Sequence, residues 1–123
     1  MQDFRKLLVW EKSHQLAMEI YRIAGRFPRA DGLALTSQLR RSALSIPTNL
    51  AEGAGKLSDV EFRRFIQIAL GSASECQYHL LVARELKLIN EETYVQLRDR
   101  MAEVRRMLTG LSKKLSTTPS KPK

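Results

Sequence analysis

The side chains best suited to chemistry fall on one short stretch, Glu75, Cys76 and His79. Spacings of three and four residues let His79 meet either neighbour on a helix, and the chemistry on offer would be metal ligation or thiol reactivity. A structural zinc takes four ligands. A di-iron site in a helical bundle takes Glu-x-x-His twice, with further glutamates. One cysteine and two histidines, His14 and His79, cannot supply either set. Cys76 lies on an apolar face and reads as a small core residue. No metal site and no cofactor are expected.

Two other patterns carry little chemistry. Gly53-Ala54-Gly55-Lys56 is a fragment of a phosphate-binding loop, but the full motif needs glycine where Leu50 stands and Ser or Thr where Leu57 stands. It reads as a helix stop and turn. A serine nucleophile needs a base oriented by an acid, and spacing alone places no such triad, so the chain is not expected to be an enzyme.

Basic clusters are more informative. Arg40-Arg41, Lys56, Arg63-Arg64 and Arg105-Arg106 lie on helix surfaces, and guanidinium forks suit phosphates. Few aromatics interleave with them, so base stacking is not expected. The bland alternative is a solvated charged face with local ion pairs, such as Glu52 with Lys56. The 21 Lys and Arg outnumber the 13 Asp and Glu, for a net charge of +8. Beyond Glu103 there is no acid, and Arg105, Arg106, Lys113, Lys114, Lys121 and Lys123 leave only +2 on the rest of the chain.

These residues must be positioned by helices. A chain of 123 residues suits one domain, and no segment alternates with period 2. The first helix runs from about Val9 to Phe27 and ends at Pro28, since the residue before a proline is pushed out of the helical region. The second runs from about Asp31 to Ala54 and contains Pro47, which removes a hydrogen bond to Ala43 and predicts a kink. Thr48 or Asn49 could satisfy backbone groups there, a structural alternative to any functional role. Ser58-Asp59-Val60-Glu61 is a capping box that opens the third helix, which ends near Leu86 or Lys87. Asn90 caps the fourth, where Tyr94, Leu97, Met101, Val104, Leu108, Leu111 and Leu115 form a heptad seam. Short loops favour an antiparallel up-down-up-down four-helix bundle over residues 1–115. Residues 116–123, rich in Ser, Thr, Pro and Lys, read as a disordered basic tail. The longest apolar run near the start, Leu7 to Trp10, is too short for a membrane span or a secretory segment. With the lone cysteine this fits a reducing cytoplasm.

The third helix has an apolar surplus. From Phe62 to Leu86 its apolar residues span an arc of about 220°, whereas burial in one core needs little more than about 100°. Self-association is the better account of the excess, with Trp10, Phe62, Ile66, Leu70 and Leu81 as expected interface residues.

Several blocks carry a family resemblance: Asp3 to Trp10, Phe27-Pro28, Leu35 to Ala43, Ser45-Ile46-Pro47-Thr48-Asn49-Leu50-Ala51-Glu52-Gly53, and Gly71-Ser72-Ala73-Ser74-Glu75. Their types and order resemble the bacterial four-helix bundle family, also called the 23S rRNA intervening-sequence protein family, over roughly residues 3–112. The basic tail is not part of the shared pattern. The resemblance implies an antiparallel bundle assembled as a ring-shaped homopentamer, in the bacterial cytoplasm, without known enzymatic activity. It also implies kinship with accessory factors of diversity-generating retroelements, whose basic ring engages a reverse transcriptase and nucleic acid.

The expected function is an oligomeric binding or scaffold module that contacts RNA, DNA or a nucleic-acid-processing partner. Arg40, Arg41, Lys56, Arg63, Arg64, Arg105 and Arg106 are the expected phosphate contacts. The alternative is a structural or protein-interaction module with no nucleic-acid role. Neither a membrane nor a small-molecule substrate is expected.

Overall fold

The computed structural model describes residues 2–115, apart from side-chain placement at residues 31 and 32. The reading of residues 116–123 as a tail therefore falls outside the described residues. A 3-10 turn over Phe4–Lys6 leads into four helices: α1 (Leu8–Ala24), α2 (Arg29–Ala54), α3 (Asp59–Glu85) and α4 (Glu91–Lys114). No β-strand occurs among the described residues.

Start and stop signals act as their chemistry dictates. The Ser58 hydroxyl accepts from the Glu61 amide at 3.2 Å and Asn90 Oδ1 accepts from the Thr93 amide at 2.7 Å, each satisfying a donor that the first helical turn leaves open. At the end of α3, Lys87 adopts φ 59°, and the Leu88 amide closes back on the Ala83 carbonyl at 2.9 Å. This is a left-handed helix stop built without the usual glycine. Helix α2 continues through Pro47 as one element. Beside it, Asn49 Nδ2 donates to the Ser45 carbonyl at 2.7 Å, so this asparagine does have a structural job next to the proline.

Each helix packs on two neighbours: α1 on α2 and α4, and α3 on α2 and α4. Among the described residues no diagonal pair touches. Partner numbers run in opposite directions across each seam. Ser42 meets His79 and Ser45 meets Ser72, while Gln77 meets Arg105 and Arg63 meets Ser112. The arrangement is that of an antiparallel four-helix bundle. Leu16, Ile20, Leu39, Ile46, Leu50, Ile66, Leu80, Met101 and Leu108 form its fully buried centre. The α4 seam follows the heptad up to Leu108. Beyond it Ser112 is buried, while Leu111 and Leu115 are only half-buried. A straight helix at about 3.6 residues per turn drifts off a 3.5-residue repeat, and the seam follows the drift.

One close approach fixes the α2–α3 spacing. A Cβ at Gly53 would stand 2.7 Å from Phe65 Cβ and 2.9 Å from Phe62 Cδ1. Gly53 is thus inside α2 as a packing residue, and only Gly55 caps the helix.

Candidate nucleic-acid interface

The outer flank of α4 beyond Glu103 carries basic side chains and no acid. Arg105, Arg106 and Lys113 line an open depression of about 480 Å³ with Ala102, Thr109 and Gly110. Apart from its own chain neighbours and local helix backbone, nothing lies within 4 Å of where a Gly110 Cβ would stand, so the floor is open there. Arg105 donates to the neutral Gln77 Oε1 at 2.9 Å, which orients its guanidinium without cancelling its charge. The last acid before this stretch, Glu103, accepts from Lys12 Nζ on α1 at 2.7 Å. That hydrogen bond holds the Glu103 carboxyl below its ordinary pKa. At the adjoining end of α3, Arg63 and Arg64 flank a second shallow hollow with Val60 and Gln67. Arg63 donates to the Ser112 carbonyl, tying the start of α3 to the end of α4.

The seven expected phosphate contacts therefore separate. Arg40 sends Nε and Nη2 to the Tyr21 carbonyl at 3.1 and 3.0 Å, and its guanidinium carbon lies 4.0 Å from the Tyr21 ring centroid. It joins the Gly25 amide on the Tyr21 carbonyl and covers the end of α1, where the helix dipole favours a cation. Arg41 is ion-paired with Glu75 and also donates to Gln38. Lys56 lies 5.3 Å from the Phe65 ring centroid. It makes no ion pair with Glu52, because Gly55 ends the helix that would have set their spacing. Arg64 sits at the edge of Phe65, 5.7 Å from its centroid. Arg40, Arg41, Arg63 and Arg105 each donate within the chain, Arg41 alone to a carboxylate, whereas Arg64 and Arg106 are exposed.

Between α2 and α3 the fold assembles a polar seam that spacing along the sequence did not reveal. Ser42 Oγ lies 3.3 Å from His79 Nδ1, and His79 Nε2 lies 4.0 Å from Glu75 Oε2. Serine, histidine and carboxylate are thus in the order of a nucleophilic triad. Ser42, however, is 0% exposed and its hydroxyl lies within hydrogen-bonding distance of the Leu39 carbonyl, 3.2 Å away. Cys76 is buried beside it, and burial pushes its thiol up to about 12. One turn further along, Ser45 and Ser72 hydroxyls meet at 2.7 Å, and Asn49 Nδ2 reaches Ser45 Oγ at 3.0 Å. The seam holds two helices in register. Glu11 and His14 do form one Glu-x-x-His spacing, but the His14 ring stacks on Trp10 at 4.9 Å. Among the described residues no three His, Cys, Asp or Glu side chains gather where they could hold a metal ion.

Ser45, Asn49, Gly53, Ser72 and Glu75, which carry the family resemblance, thus face one another across a single helix pair. Residues 5–110 match the 23S rRNA-intervening sequence protein family. The chain belongs to that family. A crystal structure of a protein of unknown function from the S23 ribosomal protein family of Bacteroides thetaiotaomicron superposes with a TM-score of 0.80. It is 26% identical, and the match covers 87% of this chain and 100% of that one. No curated protein shows significant similarity.

In this family member the expected self-association residues are also redistributed. Phe62 and Ile66 are 3% and 0% exposed within their own bundle, so neither offers surface to a second copy. Sequence periodicity shows how wide an apolar arc is, not which part of it two neighbouring helices already cover. Leu70 and Leu81 are half-buried. Trp10 packs edge-on against Phe4 and flat on His14, centroids 4.9 Å apart in both cases. The uncovered apolar residues of α3 are Val60, Ile68 and Tyr78, followed by Leu86 at its cap. Ile68 and Leu86, 46% and 56% exposed, stand five helical turns apart on one face. Among the described residues no helix is long and apolar enough to cross a membrane.

Proposed function

We propose that this protein is a non-enzymatic, self-associating scaffold whose α3–α4 face holds structured RNA or DNA by its phosphates. The carrying observation is the acid-free run of α4 after Glu103, where Arg105, Arg106 and Lys113 border one open depression. A phosphate backbone is recognised by such outward cations and releases counterions on binding. Membership of a family defined by intervening sequences of 23S rRNA favours RNA as the polyanion. The non-enzymatic part of the reading is supported by Ser42, which is sealed in the core although a histidine and a carboxylate are aligned behind it.

Self-association in a bacterial cytoplasm, as a ring-shaped homopentamer, completes the proposal. It draws on the family resemblance and on Ile68 and Leu86, apolar side chains that the bundle leaves open. A ring would repeat the basic face around its axis, so several weak phosphate contacts would act together. The alternative, a protein-interaction module with no nucleic-acid role, is favoured by the same exposed apolar residues if they dock a partner instead of a second copy.

Solution mass by light scattering, with and without a structured RNA, together with RNA affinity at two salt concentrations, tests the proposal. A particle of several chains whose affinity falls steeply with salt is expected. A monomer that fails to bind at low salt would remove both halves.

A further inference from the structure

The structure places an aromatic platform next to the basic face, although the two lie far apart in the sequence. A groove of about 340 Å³ between α3 and α4 is lined by Gln77, Tyr78, Leu80, Leu81, Tyr94 and Arg98. Tyr78 is 63% exposed, too open for a core aromatic. Tyr94 is buried as the floor, with Arg84 and Arg98 guanidinium carbons 4.5 and 5.9 Å from its ring centroid. Leu80 and Leu81 supply apolar wall. Gln77 offers an amide, the kind of group that pairs with base edges, and its Oε1 receives Arg105 from the basic face at 2.9 Å. The groove and the α4 depression therefore share a border at the Gln77–Arg105 pair. No acid lines the groove itself; Arg98 is ion-paired with Asp99, and Arg84 with Glu85 and Glu91.

We infer that this groove is a base-stacking subsite for an unpaired nucleotide of single-stranded RNA. The base lies on the Tyr78 ring against Leu81, and its backbone phosphates fall on Arg105 and Arg106. This rests on the polyanion reading of α4 and deepens it. Cations alone would hold any phosphate chain, whereas a neighbouring π-surface and a side-chain amide select a strand whose bases are free. The charge of Arg105 at the border, which no carboxylate answers, fits an anionic strand better than an apolar peptide. The groove is at the small end of the size range for ligand sites, enough for one base with its sugar.

The test uses fluorescence anisotropy with two probes of about ten residues, an oligoadenylate and an abasic ribose-phosphate chain of the same length. The full-length protein is expected to bind the base-bearing probe on the order of ten-fold more tightly than the abasic one at equal salt. Tyr78→Ala removes that ratio and leaves abasic affinity unchanged, while Tyr78→Phe keeps it. Arg105→Ala weakens both probes and lowers the slope of log affinity against log salt by about 0.7. Equal affinity of the wild-type protein for the two probes overturns the subsite while leaving the phosphate reading standing. So does a loss of affinity for both probes in Tyr78→Ala, or a change in its particle mass, which would place Tyr78 in a contact between copies. Failure of both probes to bind at low salt overturns the subsite together with the reading beneath it.

Discussion

Replacing Arg40 by Ala separates two roles that a basic residue on a helix surface can have. If Arg40 were a phosphate ligand, its loss would weaken polyanion binding and leave the fold alone. The structure instead sets its guanidinium against the Tyr21 carbonyl through two N–H groups and over the Tyr21 ring. A hydrogen bond from a charged donor contributes about 1.5–3 kcal/mol. Cation–π contact at a half-exposed site adds about 0.5–1 kcal/mol. Both N–H groups share one acceptor, and the side chain regains rotamer freedom when released, so the net loss should be about 2 kcal/mol. For a domain of this size that is roughly 8 °C in Tm. Thermal unfolding followed by far-ultraviolet circular dichroism measures it, and the salt dependence of RNA binding is read on the same variant. Arg40→Lys should recover only part of the loss, because an ammonium lacks the planar fork. Arg105→Ala should behave in the opposite way, with a Tm close to the wild-type value and a shallower salt slope. An Arg40→Ala protein that melts like wild type but binds RNA with a shallower slope would refute the capping argument and return Arg40 to the phosphate face.

Three further outcomes follow from packing and titration. Burial holds the Cys76 thiol at about 12 against an ordinary 9.0, so the unfolded chain ionises first as pH rises. Stability from this site is complete below pH 9 and falls by about 1.4 kcal/mol per pH unit from there towards 12. Cys76→Ala, about 1–2 kcal/mol less stable near neutrality for its cavity, should therefore draw level with wild type near pH 10 in urea unfolding; a pH-independent difference would contradict the burial. Gly53→Ala should cost about 1–3 kcal/mol because its Cβ meets Phe65 and Phe62, whereas Gly71→Ala, with no atom within 4 Å, should gain about 1 kcal/mol; loss of stability or particle mass in the second variant would mean that another chain packs on Gly71. Lys87→Gly should stabilise by about 0.5–1 kcal/mol in the same assay, since Lys87 holds a left-handed conformation that glycine adopts without a Cβ clash.

The elements were legible in the sequence because their signals are local. Ser58 and Asn90 cap the helices they were read to open, whereas α1 stops at Ala24 under Gly25, short of Phe27, and Pro28 instead stands at the start of α2; the α4 seam could be read down to Leu108 from apolar spacing alone. The failures share a different cause. Spacing along α3 showed that Glu75 and His79 could meet, but the Ser42–His79 and Gln77–Arg105 contacts each join two helices, and no spacing along one helix encodes them. The arginines were recognised as cations, but whether a cation is spent or available depends on what the neighbouring helix presents. Arg40 found a helix end, Arg41 a carboxylate and Arg63 the Ser112 carbonyl. Lys56 lost Glu52 because Gly55 changed the local direction of the chain. The groove proposed as a stacking subsite likewise exists only after α3 and α4 have paired, where Gln77 meets Arg105.

Helix α3 faces three environments, and its sequence is a compromise among them. Its inner residues, Phe62, Ile66, Ala69, Ala73, Cys76 and Leu80, close the core. Its α2 side is polar at Ser72, Glu75 and His79, where hydrogen bonds set register more strictly than apolar contacts, which tolerate sliding. Its α4 side carries Arg63, Gln77 and Tyr78, none of which improves a core. Arg63 and Gln77 both hold partners on α4, and Gln77 orients Arg105, one cation of the basic depression, before any ligand arrives. Stability alone would favour apolar residues at the rim and a carboxylate somewhere after Glu103 to relieve repulsion among Arg105, Arg106, Lys113 and Lys114. Neither is present. On the proposed reading an anionic ligand accounts for a face that keeps its charge and an open aromatic, which solubility, supplied by either sign of charge, does not.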